Sequence, residues 1–104
     1  MEKEEQPQFI RLILPRGKQV LGILEQRLGA SRTRVRCLDG KTRICRIPGR
    51  LKRSLWVREG DIVLIEPWQE GGGKKGDIIF KYHKNQVEQL RNKGLLKGIT
   101  EEEF

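Results

Sequence analysis

The sequence predicts an all-β protein: a small closed barrel of five strands, with a short helix between the third and fourth strands and another helix after the fifth. Three observations carry this. Around Asp39-Gly40 the chain alternates as a β-hairpin does, Arg32-Thr33-Arg34-Val35-Arg36-Cys37 on one side and Lys41-Thr42-Arg43-Ile44-Cys45-Arg46 on the other. Turn residues recur at short intervals, at Pro15-Arg16-Gly17, Gly29-Ala30-Ser31, Pro48-Gly49, Glu59-Gly60-Asp61 and Gly71-Gly72-Gly73. The spacing of apolar residues becomes helical only after Tyr82.

In chain order, residues 1–8 are charged and polar and read as a flexible acidic arm. Phe9 to Leu14 reads as extended chain. The first strand runs from Val20 to Leu28, and Gly22 inside it marks an expected bulge or bend. The second and third strands form the hairpin, since Asp-Gly is the strongest short hairpin signal. Arg50 to Leu55 is one expected helical turn. Ile62 to Glu66 is a continuous apolar strand that Pro67 ends, and Asp77 to Tyr82 is the fifth strand. Val87, Leu90 and Arg91 then fall at helical spacing over Lys84 to Lys93, with Gly94 placed to end the helix. Leu95, Leu96 and Ile99 are expected to fold back on the barrel, and residues 100–104 to form a short acidic tail. Closing the sheet removes exposed strand edges, and the five-stranded Greek-key barrel known as the OB-fold fits this order of elements. The expected division is an arm at 1–8, a barrel at 9–82, a helical segment at 83–99 and a tail at 100–104.

At 104 residues the chain holds one modest core. Its formal net charge is +8, and acidic residues gather at the ends, Glu2, Glu4 and Glu5 before the barrel and Glu101 to Glu103 after it. Between Arg32 and Arg58 the only acid is Asp39. On alternation, Arg32, Arg34 and Arg36 share one face and Thr33, Val35 and Cys37 the other. An arginine-rich strand face is a poor core element. It is a good polyanion surface, because guanidinium is planar, always charged and grips phosphate bidentately. Arg50, Lys52 and Arg53 then precede Trp56, an indole able to stack on a base. Alternation puts Trp56 and Val57 on opposite faces and leaves open which one is exposed. Trp68, after Pro67, reads as partly buried structure.

Other chemistries find no support in the sequence. Gly71 to Asp77 resembles a phosphate-binding loop only in composition: Asp77, not Lys-Ser/Thr, follows Gly76, and a strand follows. It reads as a flexible loop carrying two phosphate-seeking lysines, Lys74 and Lys75. His83 reads as structural, and no constellation fits acid–base or nucleophilic catalysis. Two cysteines and one histidine fall short of a structural zinc set. If Asp39-Gly40 is a two-residue loop, Cys37 faces Thr42 and Cys45 faces Arg34, which disfavours a disulfide, so both read as reduced. No apolar run approaches a membrane span and no secretory signal is visible, so the expectation is a cytoplasmic protein without cofactor, metal or membrane contact.

Several stretches together resemble translation initiation factor 1A of the archaeal and eukaryotic kind, in its short-tailed archaeal form. They are Leu14-Pro-Arg-Gly-Lys, Val20-Leu-Gly-Ile-Leu-Glu-Gln, Arg34-Val-Arg-Cys-Leu-Asp-Gly-Lys-Thr-Arg, Arg46-Ile-Pro-Gly, Trp56-Val-Arg-Glu-Gly-Asp-Ile-Val-Leu and Gly76-Asp-Ile-Ile. The likeness continues from Gln86-Val-Glu-Gln-Leu-Arg to Gly94-Leu-Leu. It implies an S1-like OB-fold and a non-catalytic, monomeric factor. Such a factor binds the small ribosomal subunit near the A site, on ribosomal RNA of the decoding region and a neighbouring ribosomal protein. It promotes initiator tRNA loading and start-codon selection, with other initiation factors and initiator tRNA as indirect partners. Arg34, Arg36, Lys41, Arg43 and Arg46 would lie on the RNA-facing barrel surface. Arg50, Lys52, Arg53 and Trp56 would reach into the RNA. The rival reading is a general single-strand RNA chaperone of the cold-shock kind. The arginine hairpin argues against it, since it contains no aromatic residue on which bases could stack.

Overall fold

The computed structural model describes residues 12–96. Five strands, β1 (Val20–Gly29), β2 (Arg32–Cys37), β3 (Thr42–Arg46), β4 (Ile62–Pro67) and β5 (Lys75–Lys81), close into a barrel in the order β1-β2-β3-β5-β4. All neighbours are antiparallel except β3 and β5, which run parallel. A 3-10 turn, Gly49–Leu51, lies between β3 and β4, and the helix α1 (Lys84–Asn92) follows β5. Leu12 to Leu14 belongs to no strand; the rest of the extended stretch, Ile99 and both acidic ends lie outside the described residues.

The core has two compartments, which explains the unbroken apolar run of β4. Val63 and Ile65 point into the barrel with Leu24, Val35, Cys37, Cys45, Val57 and Ile78. Ile62 and Leu64 point the other way and, with Leu21, Ile23 and Tyr82, receive Leu90 and Leu96 from the helical segment. A strand buried on both faces needs no polar alternation. The hydroxyl of Tyr82 donates to the Ile13 carbonyl and ties the entering chain to this layer. Burial pushes the Tyr82 phenol up to about 12.

The sequence predicts both ends of α1. The Gln86 side-chain oxygen accepts from the His83 amide at 2.8 Å, so His83 stands at the capped start of the helix. At the other end the Gly94 amide donates to the Arg91 carbonyl and the Leu95 amide to that of Leu90, with Gly94 at φ +77°. That is a Schellman termination, for which glycine is favoured.

Two expectations are corrected. Gly22 is not at a bulge: it pairs regularly with Cys37 and with Val63, and the register shifts of β1 fall later, between Leu24 and Gln26 and between Arg27 and Gly29. Glycine is required because β2 passes so close that a Cβ would lie 2.6 Å from Val35 Cγ1 and 3.0 Å from the Arg36 carbonyl oxygen. The β2–β3 loop has three residues, Leu38-Asp39-Gly40, not two. The Cys37 amide donates to the Lys41 carbonyl, Asp39 Oδ1 accepts from the Lys41 amide, and Gly40 takes φ +90°. Asp-Gly suits this bulged loop as well as the tighter one. The register therefore moves by one residue: Arg36 faces Thr42, Val35 faces Arg43 and Thr33 faces Cys45. A shift of one reverses which face each β3 side chain takes. Arg43 and Cys45 consequently point inward, and Thr42, Ile44 and Arg46 outward. Both cysteines are free and buried, with neither opposite the other.

The β1–β2 loop is a strained counterpart. Gly29 pairs with Arg32, so only Ala30 and Ser31 make the turn, at φ +51° and +64°. Two-residue hairpin turns of this hand favour Asn-Gly, because side chains with a Cβ are strained there. Replacing the pair together, Ala30→Asn with Ser31→Gly, should stabilise the protein by about 1 kcal/mol and raise the thermal midpoint by about 4–8 °C. A calorimetric scan with no rise would show that the turn carries no strain.

Candidate nucleic-acid interface

The outward face of β2 presents Arg32, Arg34 and Arg36 as alternation requires, while Thr33, Val35 and Cys37 are buried. Two of these arginines are braced. Arg34 donates to Gln26 Oε1, and Arg36 Nε lies 3.3 Å from Glu25 Oε2. Glu25 reaches Arg36 from the first register shift of β1, where the period of two breaks. Arg46 projects from β3, its Nε 3.7 Å from Asp77 Oδ1 on the parallel strand β5.

Arg43 stands apart from the other predicted cations. It is 3% exposed, and its two terminal nitrogens donate to Asp39 at 3.1 and 2.8 Å, a bidentate fork. The fork holds the Asp39 carboxyl below the usual carboxylate range, the Arg43 hydrogen bond being the largest cause. The Cys37 thiol, beside the same guanidinium, is nevertheless raised because burial outweighs that bond. Burial pushes Cys45 up to about 12. This inward position is the consequence of the three-residue loop. Arg43 clamps the hairpin and has no face toward a ligand.

After β3 the chain leaves the sheet as a short cationic spur. Leu51 and Leu55 are half-buried and Val57 is 7% exposed; Leu55 and Val57 pack into the barrel interior. The Leu51 carbonyl accepts from the amides of Ser54 and Leu55, which rounds the turn. With those side chains inward, Arg50, Lys52 and Arg53 point outward and make no ion pair among the described residues. Trp56 is 75% exposed, which settles the alternation left open by the sequence. Backbone-to-side-chain bonds hold the spur. Glu59 accepts from the Arg27 amide at 3.1 Å and Asp61 from the Arg58 amide at 2.8 Å. The Arg27 amide also holds the Glu59 carboxyl below its usual range.

Between spur and hairpin lies a cleft of about 460 Å³. Trp56 forms one wall, Arg27, Arg32 and Lys52 bring positive charge to it, and Thr33, Ile47 and Val57 line its base. An aromatic wall beside guanidinium and ammonium groups matches a base and its backbone phosphate. Arg27 was not among the predicted site residues. It falls between two register shifts of β1, so strand alternation gives it no assigned face. Arg32 had the signal, lying on the arginine face.

The remaining predicted cations gather elsewhere, at the β3–β5 seam. Lys41 reaches the triglycine loop, its Nζ 2.9 Å from where a Cβ on Gly73 would stand. Lys74 and Lys75 are exposed, Lys75 Nζ 5.9 Å from the centroid of the half-buried Trp68 ring. The structure thus brings Arg50, Lys52, Arg53 and Trp56 together, and separately Lys41, Arg46, Lys74 and Lys75.

A closed five-stranded barrel with this strand order defines an OB-fold. The family model described as translation initiation factor 1A / IF-1 matches residues 10–104. The translation initiation factor 1A of Methanococcus aeolicus is 55% identical over 93 residues, 89% of each chain. That of Pyrococcus abyssi is 49% identical over 100 residues, 96% of this chain and 86% of the relative, and that of Picrophilus torridus 44% over 103 residues, 97% and 94%. The solution structure of a translation initiation factor of the shorter, factor 1 kind, from the Wolbachia endosymbiont of Brugia malayi, superimposes with a TM-score of 0.52. It is 28% identical, and the match covers 69% of this chain and 84% of that one. The chain belongs to the translation initiation factor 1A family. Among the described residues no helix is long and apolar enough to cross a membrane.

Proposed function

We propose that this protein binds the small ribosomal subunit near its A site and there promotes initiator tRNA loading and start-codon selection, without catalysing a reaction. The observation that carries the reading is Trp56, three-quarters exposed on a spur whose cations have no counter-ions among the described residues. A tryptophan so placed leaves most of its ring outside the core, and folded ribosomal RNA supplies both a base to stack and phosphates to neutralise. Its partners are ribosomal RNA of the decoding region and an adjoining ribosomal protein, and other initiation factors and initiator tRNA are met indirectly. The protein acts as a monomer in the cytoplasm, and no cofactor takes part. On this reading the chain divides into an acidic arm at 1–8, the binding barrel at 9–82, a helical segment at 83–99 and an acidic tail at 100–104.

Co-sedimentation with purified small subunits over a salt series, with excess unstructured RNA as competitor, tests this. Saturable one-to-one binding that survives the competitor is expected. With about five phosphates neutralised, the log–log salt slope should be roughly −3.5 on the single-strand scale. Loss of binding to the competitor would make the protein a general RNA chaperone. Binding indifferent to salt would remove the phosphate mechanism.

A further inference from the structure

Trp68 joins two cations that sequence spacing does not connect. Its backbone amide donates to the Lys75 carbonyl at 2.9 Å, which anchors the residue at the β4–β5 turn. The Arg46 guanidinium carbon lies 5.1 Å from the ring centroid and Lys75 Nζ 5.9 Å from it. Both distances are within cation–π range. Arg46 comes from β3 and Lys75 from β5, brought side by side by the parallel pairing of Ile44 with Lys75 and Arg46 with Asp77.

The charges at this seam do not balance. Two cations converge on one ring, and the only carboxylate within ion-pair distance of either, among the described residues, is Asp77, 3.7 Å from Arg46 Nε. That distance is an ion pair without a hydrogen bond, and Asp77 Oδ1 is a buried oxygen with no hydrogen-bond donor. Asp77 therefore approaches the inner edge of the guanidinium. The ring restrains its plane, and the Arg46 side chain remains 54% exposed. A guanidinium engaged at its Nε edge and against one aromatic ring leaves its terminal N–H pair for a phosphate to grip bidentately. Lys75 adds a second positive charge, and Lys74 is its exposed neighbour.

We propose that Trp68 is a positioning residue, which holds Arg46 and Lys75 as a two-pronged clamp for one backbone phosphate of RNA at the β3–β5 seam. The clamp is a contact additional to the Trp56 cleft, and it rests on the RNA-binding reading above. Trp68 itself need not touch RNA; it sets the directions of the two side chains that do.

The test measures small-subunit binding over a salt series for the unaltered protein and for Arg46→Gln, Trp68→Leu, Trp68→Phe and the Arg46→Gln/Trp68→Leu pair, with a thermal midpoint for each. Arg46→Gln and Trp68→Leu should each weaken binding about fivefold to tenfold. Each should also flatten the salt slope by about 0.7, the share of one phosphate. Trp68→Phe, which keeps an aromatic face, should restore most of the slope. The paired variant should be weaker than either single one by less than the product of their effects, because both act on one contact. A Trp68→Leu protein that folds and keeps the full slope, or effects that multiply fully, would overturn the clamp while leaving the ribosomal reading intact. If Trp68→Leu does not fold, Lys75→Gln decides: an unchanged slope overturns the clamp. Failure of the unaltered protein to bind subunits overturns both.

Discussion

Reversing the charge of Arg50, Lys52 and Arg53 together, each to Glu, should weaken small-subunit binding at least about 100-fold at physiological salt and leave the thermal midpoint within about 2 °C. The three side chains are exposed and make no ion pair among the described residues, so their loss orphans nothing in the fold. The residues that anchor the spur, Leu51, Leu55 and Val57, are untouched. Each cation lost from a phosphate removes roughly 0.7 from the salt slope on the single-strand scale, so the triple variant should lose about 2. Each glutamate also brings repulsion against the RNA, which makes reversal more severe than neutralisation. Circular dichroism and a melting curve check the fold, and co-sedimentation checks the binding. Undiminished binding by a folded triple variant would move the interface off the spur and leave the β2 face and the β3–β5 seam as candidates.

Fold and site were readable in the sequence to different depths, for physical reasons that can be named. The strands and α1 announce themselves because burial imposes a period, and Gly94 marks a helix end that glycine terminates best. The β4 run was readable as a strand, though its two-sided burial becomes apparent only with Leu90 and Leu96 in place. The hairpin loop was not readable to the residue. Asp39-Gly40 serves a two-residue loop and a bulged three-residue loop equally, and only the packing of Val35 and Cys45 into the barrel selects between them. From that one residue follows the largest revision at the site, since the register decides whether Arg43 meets solvent or Asp39. Gly22 carried a real signal with two readings, a bend or a close approach, and the position of Val35 chooses the second. The Trp68 contacts lay beyond sequence reasoning altogether, because they depend on the parallel pairing of β3 with β5 across the interval that contains the spur and β4.

Arg43→Ala, by contrast, should act on the fold. Arg43 lies among the predicted RNA-facing cations in the sequence, yet its guanidinium is buried and forked onto Asp39 across the hairpin loop. Removing one partner of a buried ion pair leaves the other uncompensated, at a cost of about 3–5 kcal/mol when both are fully enclosed. Asp39 keeps a third of its side chain in solvent, so water recovers part of that, and about 2–3 kcal/mol is expected. For a chain of this size that lowers the thermal midpoint by roughly 8–24 °C. The pH dependence distinguishes loss of the pair from simple loss of volume. Asp39 has a folded-state pKa below its unfolded value, so its contribution is full above the unfolded value near about 3.9 and is lost as pH falls through the lower folded value. Arg43→Ala should therefore be most destabilised relative to the unaltered protein near neutral pH, and the gap should narrow as pH drops below about 4. The same variant, kept well below its melting temperature, should bind small subunits with a salt slope close to the unaltered one. A variant that melts normally but loses a phosphate's share of the slope would mean that Arg43 leaves Asp39 to meet RNA, and that the hairpin does not need the fork to hold its register.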